Sequence, residues 1–142
     1  MMKPDLVTEG EFKGWQTWMS EAFEYGAGPF YFRIDSQGPV CAFRAQAKHM
    51  NQGKVVHGGC LMTFADFSLF AIAADELGEG GYGVTVAFTS EFLSGAKEGQ
   101  LIKSRGEVLR AGGSLIFVRG LVTADGTPCL NYSGTIKRIK AL

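Results

Sequence analysis

Residues 51–74 read NQGKVVHGGCLMTFADFSLFAIAA, and this stretch decides the fold. It begins as a polar loop, passes through His57, Gly58 and Gly59, and continues as an apolar run that has no proline and few β-branched residues. Such a run favours a helix, and apolar side chains on nearly all of its faces indicate that the helix is buried. We therefore predict a central helix over about residues 58–77.

Asp66 interrupts this apolar run as a lone carboxylate. An acid in a buried helix costs free energy unless it is paired, hydrogen-bonded or used chemically. Two interpretations follow: a core carboxylate whose hydrogen bonds are satisfied, and a functional carboxylate. The second is favoured, because a polar loop and two glycines lead directly into the same helix.

The start of the helix offers backbone donors to a ligand. The first N–H groups of a helix have no partner within it, and they lie at the positive end of its dipole. Gly58 and Gly59 place no side chain in front of those donors, so a ligand oxygen can approach the backbone closely. The plain alternative is a turn before a helix, since a His-Gly-Gly triplet alone is weak evidence.

The rest of the chain predicts one further helix and a sheet. Apolar residues recur at helical spacing between Glu11 and Tyr25, which predicts an N-terminal helix. Strands are predicted over residues 30–35, 40–47, 83–93, 101–110, 114–123 and 129–139. Consecutive hairpins favour an antiparallel sheet. Strands of nine or ten residues and a helix of about twenty both span roughly 30 Å, so a curved sheet can wrap lengthwise round the helix.

Composition limits the domain count and the class of partner. A chain of 142 residues predicts a single α+β domain over residues 1–142. Its 14 basic and 14 acidic residues cancel, which argues against a nucleic-acid binder that relies on bulk positive charge. The N-terminal residues contain no apolar signal core, and no apolar stretch is long enough for a membrane span. We therefore expect a cytoplasmic protein without a membrane partner.

Metal and cysteine chemistry receive little support. His49 and His57 and the three dispersed cysteines form no metal-ligand pattern, so no metal is expected. Cys60 lies three residues after His57, which makes a Cys–His nucleophile pair conceivable. That pair has no evident third group to orient it, and Cys60 stands at the beginning of a buried helix.

A resemblance to a known family rests on the loop, the helix and the strand that follows. The residues that carry it are Asn51, His57, Gly58, Gly59, Asp66 and the run Gly83-Val84-Thr85-Val86. Their spacing, Asn-x5-His-Gly-Gly-x6-Asp, resembles the hotdog-fold acyl-CoA thioesterases, in the phenylacetyl-CoA-thioesterase-like branch of the 4-hydroxybenzoyl-CoA thioesterase superfamily. The resemblance runs from about Phe30 to the C-terminus. It implies a hotdog fold, a curved antiparallel sheet wrapped round a long central helix, here with the additional N-terminal helix. Gly95 departs from the family, in which many relatives carry proline, and this bears only on the shape of its loop.

The resemblance also implies a role for each matched residue. The Gly58 N–H polarises the thioester carbonyl, and Asp66, supplied by the partner subunit, acts as general base or nucleophile. Asn51 positions the attacking water or the thioester, and Thr85 orients water. His57 shapes the loop or hydrogen-bonds near the thiol leaving group; the alternative is a loop histidine bonded to the backbone.

Further residues are expected to bind the substrate. Near the helix start these are Gly59, Met62 and Phe88, with Phe64 and Phe67 as additional candidates for an apolar acyl pocket. Basic residues and an open hairpin later in the chain are candidates for contact with the phosphates of coenzyme A: Arg110, Gly112, Gly113 and Lys137. The alternative for this second group is a solvated strand edge on which lysines block strand addition.

Three functions remain open at this point. The favoured one is hydrolysis of aryl or medium-chain acyl-CoA thioesters to free acid and coenzyme A, which enters as part of the substrate, with no separate cofactor. The others are a hotdog hydratase or dehydratase and a non-catalytic acyl-CoA-binding protein. The resemblance implies a homodimer with a continuous sheet, often doubled to a homotetramer. An apolar sheet edge over residues 84–92 also favours pairing with another chain.

Overall fold

The computed structural model describes residues 3–140. The strands are β1 (Asp5–Leu6), β2 (Gln16–Thr17), β3 (Tyr31–Asp35), β4 (Gly38–Arg44), β5 (Tyr82–Phe92), β6 (Leu101–Ala111), β7 (Leu115–Ala124) and β8 (Thr127–Ile139). The helices are α1 (Ala22–Ala27), α2 (Gly58–Ile72) and α3 (Ala74–Leu77), and a 3-10 turn (Ala47–His49) precedes α2.

The strands form an antiparallel sheet in the order β1-β2-β3-β4-β6-β7-β8-β5. Each of the six longer strands begins and ends within three residues of its predicted position. Among the described strands β5 pairs only with β8, so one edge of β5 is open. These observations confirm the predicted α+β architecture, in which an antiparallel sheet packs against a long helix.

Helix α2 supplies much of the core. The α2 side chains that lie against the sheet are almost fully buried: Leu61, Phe64, Ala65, Phe67, Leu69, Ala71 and Ile72. Gly134 of β8 allows this close packing, because a Cβ at that position would lie 2.4 Å from a methyl group of Leu69. Packing of this density explains why an apolar run of helical length folds as one buried helix.

The central helix differs from its prediction in two respects. The helix predicted over residues 58–77 is interrupted at Ala73, which separates α2 from α3. It is also not buried on every side, since a strip facing away from the sheet stays partly accessible and Met62 is 40% exposed. The sheet covers only one side of the helix, and the uncovered strip includes Asp66.

The N-terminal helix predicted between Glu11 and Tyr25 is wrong for most of its length. Residues 16–17 form strand β2, which lies between β1 and β3, and helix α1 covers only residues 22–27. Gly10 and Gly14 adopt positive φ angles of 84° and 90° in the turn that leads back to β2, and this conformation is incompatible with a helix.

Two aromatic residues of this segment, Phe12 and Trp18, are buried by contacts with the sheet. Phe12 stacks on Tyr31, and Trp18 stacks on Phe32 of the neighbouring strand β3. Their helical spacing in the sequence therefore reflects contacts with the sheet. No helix in the described part of the chain is both long enough and apolar enough to cross a membrane.

Candidate active site

Asp66 is held by a hydrogen bond from β5. It lies on the accessible strip of α2, and the Thr85 hydroxyl donates to its Oδ1 at 2.5 Å. The register of β5 against β8 shifts between Thr85 and Ala87, so a β-bulge follows directly after this contact. Oδ2 of Asp66 has no hydrogen-bond partner among the described residues. One carboxylate oxygen is thus fixed while the other can receive a proton or contact a substrate.

The surroundings of Asp66 make it a stronger base than a surface aspartate. Burial raises the pKa of Asp66, and the Thr85 hydrogen bond opposes that rise because it favours the ionised form. A carboxylate in this state accepts a proton more readily than a fully solvated one.

A cavity of about 320 Å³ adjoins this pair. It is lined by residues of the segment around α1, of α2 and of β5: Trp18, Glu21, Glu24, Asp66, Phe67, Phe70, Tyr82, Gly83, Val84 and Thr85. Its size falls at the lower end of the range for small-molecule sites, and its walls are mostly apolar, as in such sites. The cavity can therefore accommodate an apolar group next to the carboxylate.

The start of α2 is polar and accessible. The Nδ1 atom of His57 accepts a hydrogen bond from the Gly59 N–H at 2.9 Å, so His57 caps the helix. The N–H groups of Cys60 and Leu61 both bond to the His57 carbonyl. The Gly58 N–H has no acceptor among the described residues, which makes it the backbone donor that remains open to a ligand.

The loop before α2 is stiffened by its own hydrogen bonds. The Asn51 side chain accepts from the Val55 N–H at 3.2 Å, and the Asn51 N–H donates to the Val55 carbonyl at 2.8 Å. Buried His49 donates from Nε2 to the Ala27 carbonyl and accepts the Gln46 N–H at Nδ1, while its own carbonyl accepts the His57 N–H. His49 thus has a structural role that joins α1 to the loop.

The predicted catalytic residues form two groups. Asn51, His57 and Gly58 lie around the helix start, and Asp66 and Thr85 lie around the middle of α2. Eight residues separate Gly58 from Asp66, which is about 12 Å at helical rise. The chain brings each group together locally but does not place the open donor beside its own carboxylate.

The residues expected to bind substrate are dispersed. Gly59 directs its N–H to His57, Met62 lies on the accessible strip of α2, and neither lines the cavity. Phe88 packs against the core, with its ring parallel to that of Tyr132. Phe67 does line the cavity, whereas Phe64 is enclosed in the core.

The basic group lies at one end of the sheet. Lys137 pairs in register with Val84 of β5 and with Leu115 of β7, so it stands near the cavity end of β5. Arg110 is exposed at the end of β6. Arg138, which belongs to the basic strand end predicted either to contact phosphates or to be a solvated edge, donates to the Gly112 carbonyl at 3.0 Å and to the Glu76 carbonyl at 2.6 Å.

The hairpin that contains Gly112 and Gly113 is fixed by this arginine. Arg138 is therefore engaged with the protein, whereas Arg110, Lys137 and Lys140 at this end are exposed. Their predicted contact with phosphates stays a prediction.

Glu24 is a residue of the cavity that sequence reasoning missed. Nothing in the local sequence distinguishes Glu24 from a surface acid, yet it is half-buried and lines the cavity. Burial, followed by the charges of Glu21 and Asp66, raises the pKa of Glu24 to about 7. No local sequence pattern predicts the burial of Glu24, because it arises where α1 packs against α2.

The structure does not support a Cys–His nucleophile pair. Burial raises the pKa of Cys60 to about 11, so its thiol is protonated at neutral pH, and the His57 Nδ1 is already bonded to Gly59. Among residues 3–140 there is no cluster of three or more histidine, cysteine or acidic side chains that could hold a metal ion.

Comparison with known proteins identifies the family. The family model described as thioesterase superfamily matches residues 53–130, which include α2 and, of the candidate catalytic residues, His57, Gly58, Asp66 and Thr85 but not Asn51. Comparison with curated proteins gives no significant match.

Solved structures share the fold at low sequence identity. Phenylacetic acid degradation protein PaaI from Thermus thermophilus, in a mutant form, is 22% identical with a TM-score of 0.70, covering 84% of this chain and 100% of that one. Escherichia coli PaaI is 20% identical with a TM-score of 0.73, covering 86% and 88%. A hypothetical thioesterase from Streptococcus pneumoniae, crystallised with coenzyme A, is 20% identical with a TM-score of 0.72, covering 85% and 96%. Because the family model covers more than half of the chain and the fold agrees, the chain belongs to the thioesterase superfamily and is a hotdog-fold thioesterase.

Proposed function

We propose that this thioesterase hydrolyses aryl or medium-chain acyl-CoA to the free acid and coenzyme A. The observation that carries the proposal is the Asp66–Thr85 pair on the wall of an apolar cavity, where one carboxylate oxygen is anchored and the other is open. The acyl group lies in the cavity, with its carbonyl directed to the open donor of a helix start. Coenzyme A enters as part of the substrate, and no metal or other cofactor takes part.

The chemistry follows from these groups. The Gly58 N–H donates to the thioester oxygen and stabilises the negative charge that develops when the carbonyl carbon is attacked. If Asp66 is the general base, it removes a proton from water while the water oxygen bonds to that carbon. The C–S bond then breaks, and the sulfur leaves with the proton as the thiol of coenzyme A. If Asp66 is the nucleophile, its oxygen bonds to the carbonyl carbon and the C–S bond breaks, so that coenzyme A leaves as a thiolate that takes a proton from water; a second water then hydrolyses the acyl anhydride to the free acid and restores Asp66.

We assign the carboxylate to the partner subunit. A carbonyl bound at Gly58 stands about 12 Å along the helix from Asp66 of the same chain. A second α2 running antiparallel beside the first brings the partner's Asp66 within reach of that carbonyl. The open edge of β5, where Val84 and Val86 are 37% and 52% exposed, supports pairing of two chains into a continuous sheet. We therefore propose a homodimer with two shared sites, which can double to a homotetramer.

The nucleotide end of the substrate is assigned to the sheet end that carries Arg110, Lys137 and the hairpin with Gly112 and Gly113. Lys137 pairs in register with Val84 of the cavity lining, and Arg110 is exposed on β6, two strands away from β8; two accessible cations of this kind suit a ligand with several phosphates. The presence of coenzyme A in the structure of the Streptococcus pneumoniae neighbour also supports this class of substrate.

A thiol-release assay over aryl-CoA and alkyl-CoA esters tests the reaction. Release of free thiol with formation of the acid supports hydrolysis, whereas double-bond hydration without thiol release would identify a hydratase. Tight binding of acyl-CoA without turnover would identify a binding protein. Light scattering tests the assembly, and a stable monomer at micromolar concentration would contradict the shared site.

Mixed subunits test the assignment of Asp66 to the partner. Asp66→Asn subunits lack the base, and Gly58→Pro subunits lack the donor, so each homodimer is expected to be inactive. A mixed dimer contains one site with both groups intact, and activity should return after subunit exchange. If exchange is demonstrated by mass spectrometry and the mixture stays inactive, the base acts within its own subunit.

A further inference from the structure

The cavity beside Asp66 has an unusual balance of charge. Three carboxyl groups line it, those of Glu21, Glu24 and Asp66, and its remaining walls are apolar or aromatic apart from the hydroxyls of Thr85 and Tyr82. Its lining contains no lysine, arginine or histidine among the described residues. A ligand group that enters this space therefore meets acidic side chains without a compensating cation.

Glu24 and Glu21 take no part in the hydrolytic reaction, and Glu24 is the more buried of the two. Its carboxyl group has no hydrogen-bond or ion-pair partner among the described residues. The helix that carries it is anchored at its end, because Lys48 Nζ donates to the Gly26 carbonyl at 3.1 Å and His49 Nε2 donates to the Ala27 carbonyl at 2.8 Å. Glu24 is thus a half-buried acid held at the cavity wall without a structural partner.

We propose that Glu24 is a specificity-determining residue, which makes the cavity accept uncharged acyl groups and reject acyl chains that end in a carboxylate. The proposal rests on the proposed function in one respect, namely that this cavity receives the acyl group. A terminal carboxylate placed there lies close to like charges beside apolar walls, where such repulsion is stronger than in open solution. A methyl or phenyl terminus meets only the aromatic and aliphatic walls.

The charge on Glu24 changes within the range in which the enzyme is assayed. The titratable groups that face it are Glu21 from its own segment, Asp66 from α2 and Tyr82 from β5, and Lys48 stands at the far end of α1. Burial and the neighbouring acids raise the pKa of Glu24 to about 7, so the side chain is neutral below that pH and charged above it. Rejection of a terminal carboxylate therefore strengthens as the pH rises.

The same charge assists product release. Hydrolysis converts an uncharged thioester into a carboxylate inside the cavity, and that new charge meets the same acidic wall. The acid produced is consequently repelled from the space in which the neutral acyl group was bound.

A matched pair of substrates tests the proposal. Hexanoyl-CoA and adipoyl-CoA have chains of equal length that differ in their terminal methyl and carboxylate, and the ratio of their kcat/KM values cancels the catalytic contribution of Asp66 that is common to both. In the wild type this ratio should favour hexanoyl-CoA by roughly tenfold or more at about pH 8.5, and by less at about pH 6. In Glu24→Gln the ratio at the higher pH should fall several-fold and lose most of its pH dependence.

Two further variants serve as controls. Glu9→Gln removes an exposed acid far from the cavity in sequence and outside its lining, and it should leave the ratio unchanged. Glu24→Lys should change the kcat/KM ratio more than Glu24→Gln does, so that adipoyl-CoA becomes the preferred substrate. A wild type that hydrolyses both esters equally, or a Glu24→Gln variant with the wild-type ratio at both pH values, would overturn the proposal.

A binding experiment separates failure of this proposal from failure of the proposed function. The S-hexyl and S-(5-carboxypentyl) thioethers of coenzyme A cannot be hydrolysed, and calorimetry measures their affinities without any turnover. Weaker binding of the carboxylated thioether, relieved in Glu24→Gln, supports the role of Glu24 even if no acyl-CoA is hydrolysed. Equal affinities in an enzyme that hydrolyses hexanoyl-CoA would overturn the role of Glu24 and leave the hydrolytic function intact.

Discussion

The fold positions the two catalytic groups of the proposed reaction, the backbone donor and the carboxylate, in different ways. At the start of α2 the donor is the Gly58 N–H, which stays open because the His57 side chain accepts the Gly59 N–H instead. In the middle of α2 the acceptor is a side chain whose basicity depends on burial and on one hydrogen bond from Thr85. The first group is insensitive to side-chain identity as long as the N–H remains, whereas the second depends on a single carboxylate. Variants that alter one group at a time can therefore separate their contributions.

The largest effect is expected from Asp66→Asn. The amide keeps the shape of the side chain and can still accept the Thr85 hydrogen bond, so fold and assembly should be unchanged. Loss of a general base typically lowers the rate by roughly 10²–10⁴, and loss of a nucleophile lowers it further. The measurement is kcat for thiol release, with thermal unfolding as the control. Wild-type turnover by this variant on every acyl-CoA tested would show that Asp66 is not catalytic.

The donor at the helix start is tested by two substitutions at one position. Gly58→Pro removes the N–H, and proline is well tolerated in the first turn of a helix. His57 has φ −56° and ψ 132°, a conformation that a residue before proline readily adopts. Loss of one oxyanion donor should lower kcat by roughly 10²–10³.

Gly58→Ala is the matched control for this substitution. It keeps the N–H and adds a Cβ, which would lie 3.0 Å from the exposed ring of Phe92, a group that can move aside. Most of the activity should remain. If alanine and proline lower kcat equally, the contact with Phe92 matters and the N–H does not.

Features that depend on local sequence pattern could be predicted from the sequence. Between residues 82 and 139 apolar and polar residues alternate along the strands, and short connections separate them, so the local pattern is enough to predict these strands. The central helix and Asp66 also stand out, because an acid in a long apolar run is locally conspicuous. The motif around Gly58 resembles a family whose model matches this region.

The N-terminal segment could not be predicted in the same way. Its aromatic residues are spaced as on a helix, but Phe12 and Trp18 pack on β3, and two glycines with positive φ angles turn the chain back to form β2. The place of Glu24 in the cavity depends on how α1 packs against α2. Both features arise from tertiary contacts between segments distant in sequence, which no local periodicity records.

Thr85→Val is expected to have a smaller effect than loss of either catalytic group. Valine has the shape of threonine but cannot donate to Asp66, so the carboxylate loses its orientation and the pKa of Asp66 rises further. The acid limb of the kcat/KM profile should therefore move to higher pH, with roughly tenfold lower activity near neutrality. The control is Thr89→Val on the same strand, whose hydroxyl bonds to Ser133. A pH profile like the wild type would mean that Thr85 does not tune Asp66.

The smallest effect is expected far from the bond that breaks, at Arg110. If this exposed cation contacts a phosphate of coenzyme A, Arg110→Ala removes binding energy that is equal in the ground state and the transition state. Only KM should then rise, by a few-fold, while kcat stays unchanged. Added salt should shrink the difference between variant and wild type, because screening weakens exposed charge pairs. Lys13→Ala removes a similarly exposed cation in the N-terminal turn and should change neither parameter. An unchanged KM in Arg110→Ala would support the alternative, in which this end of the sheet is a solvated edge. A fall in kcat would instead mean that Arg110 lies nearer the reacting atoms than the sheet register suggests.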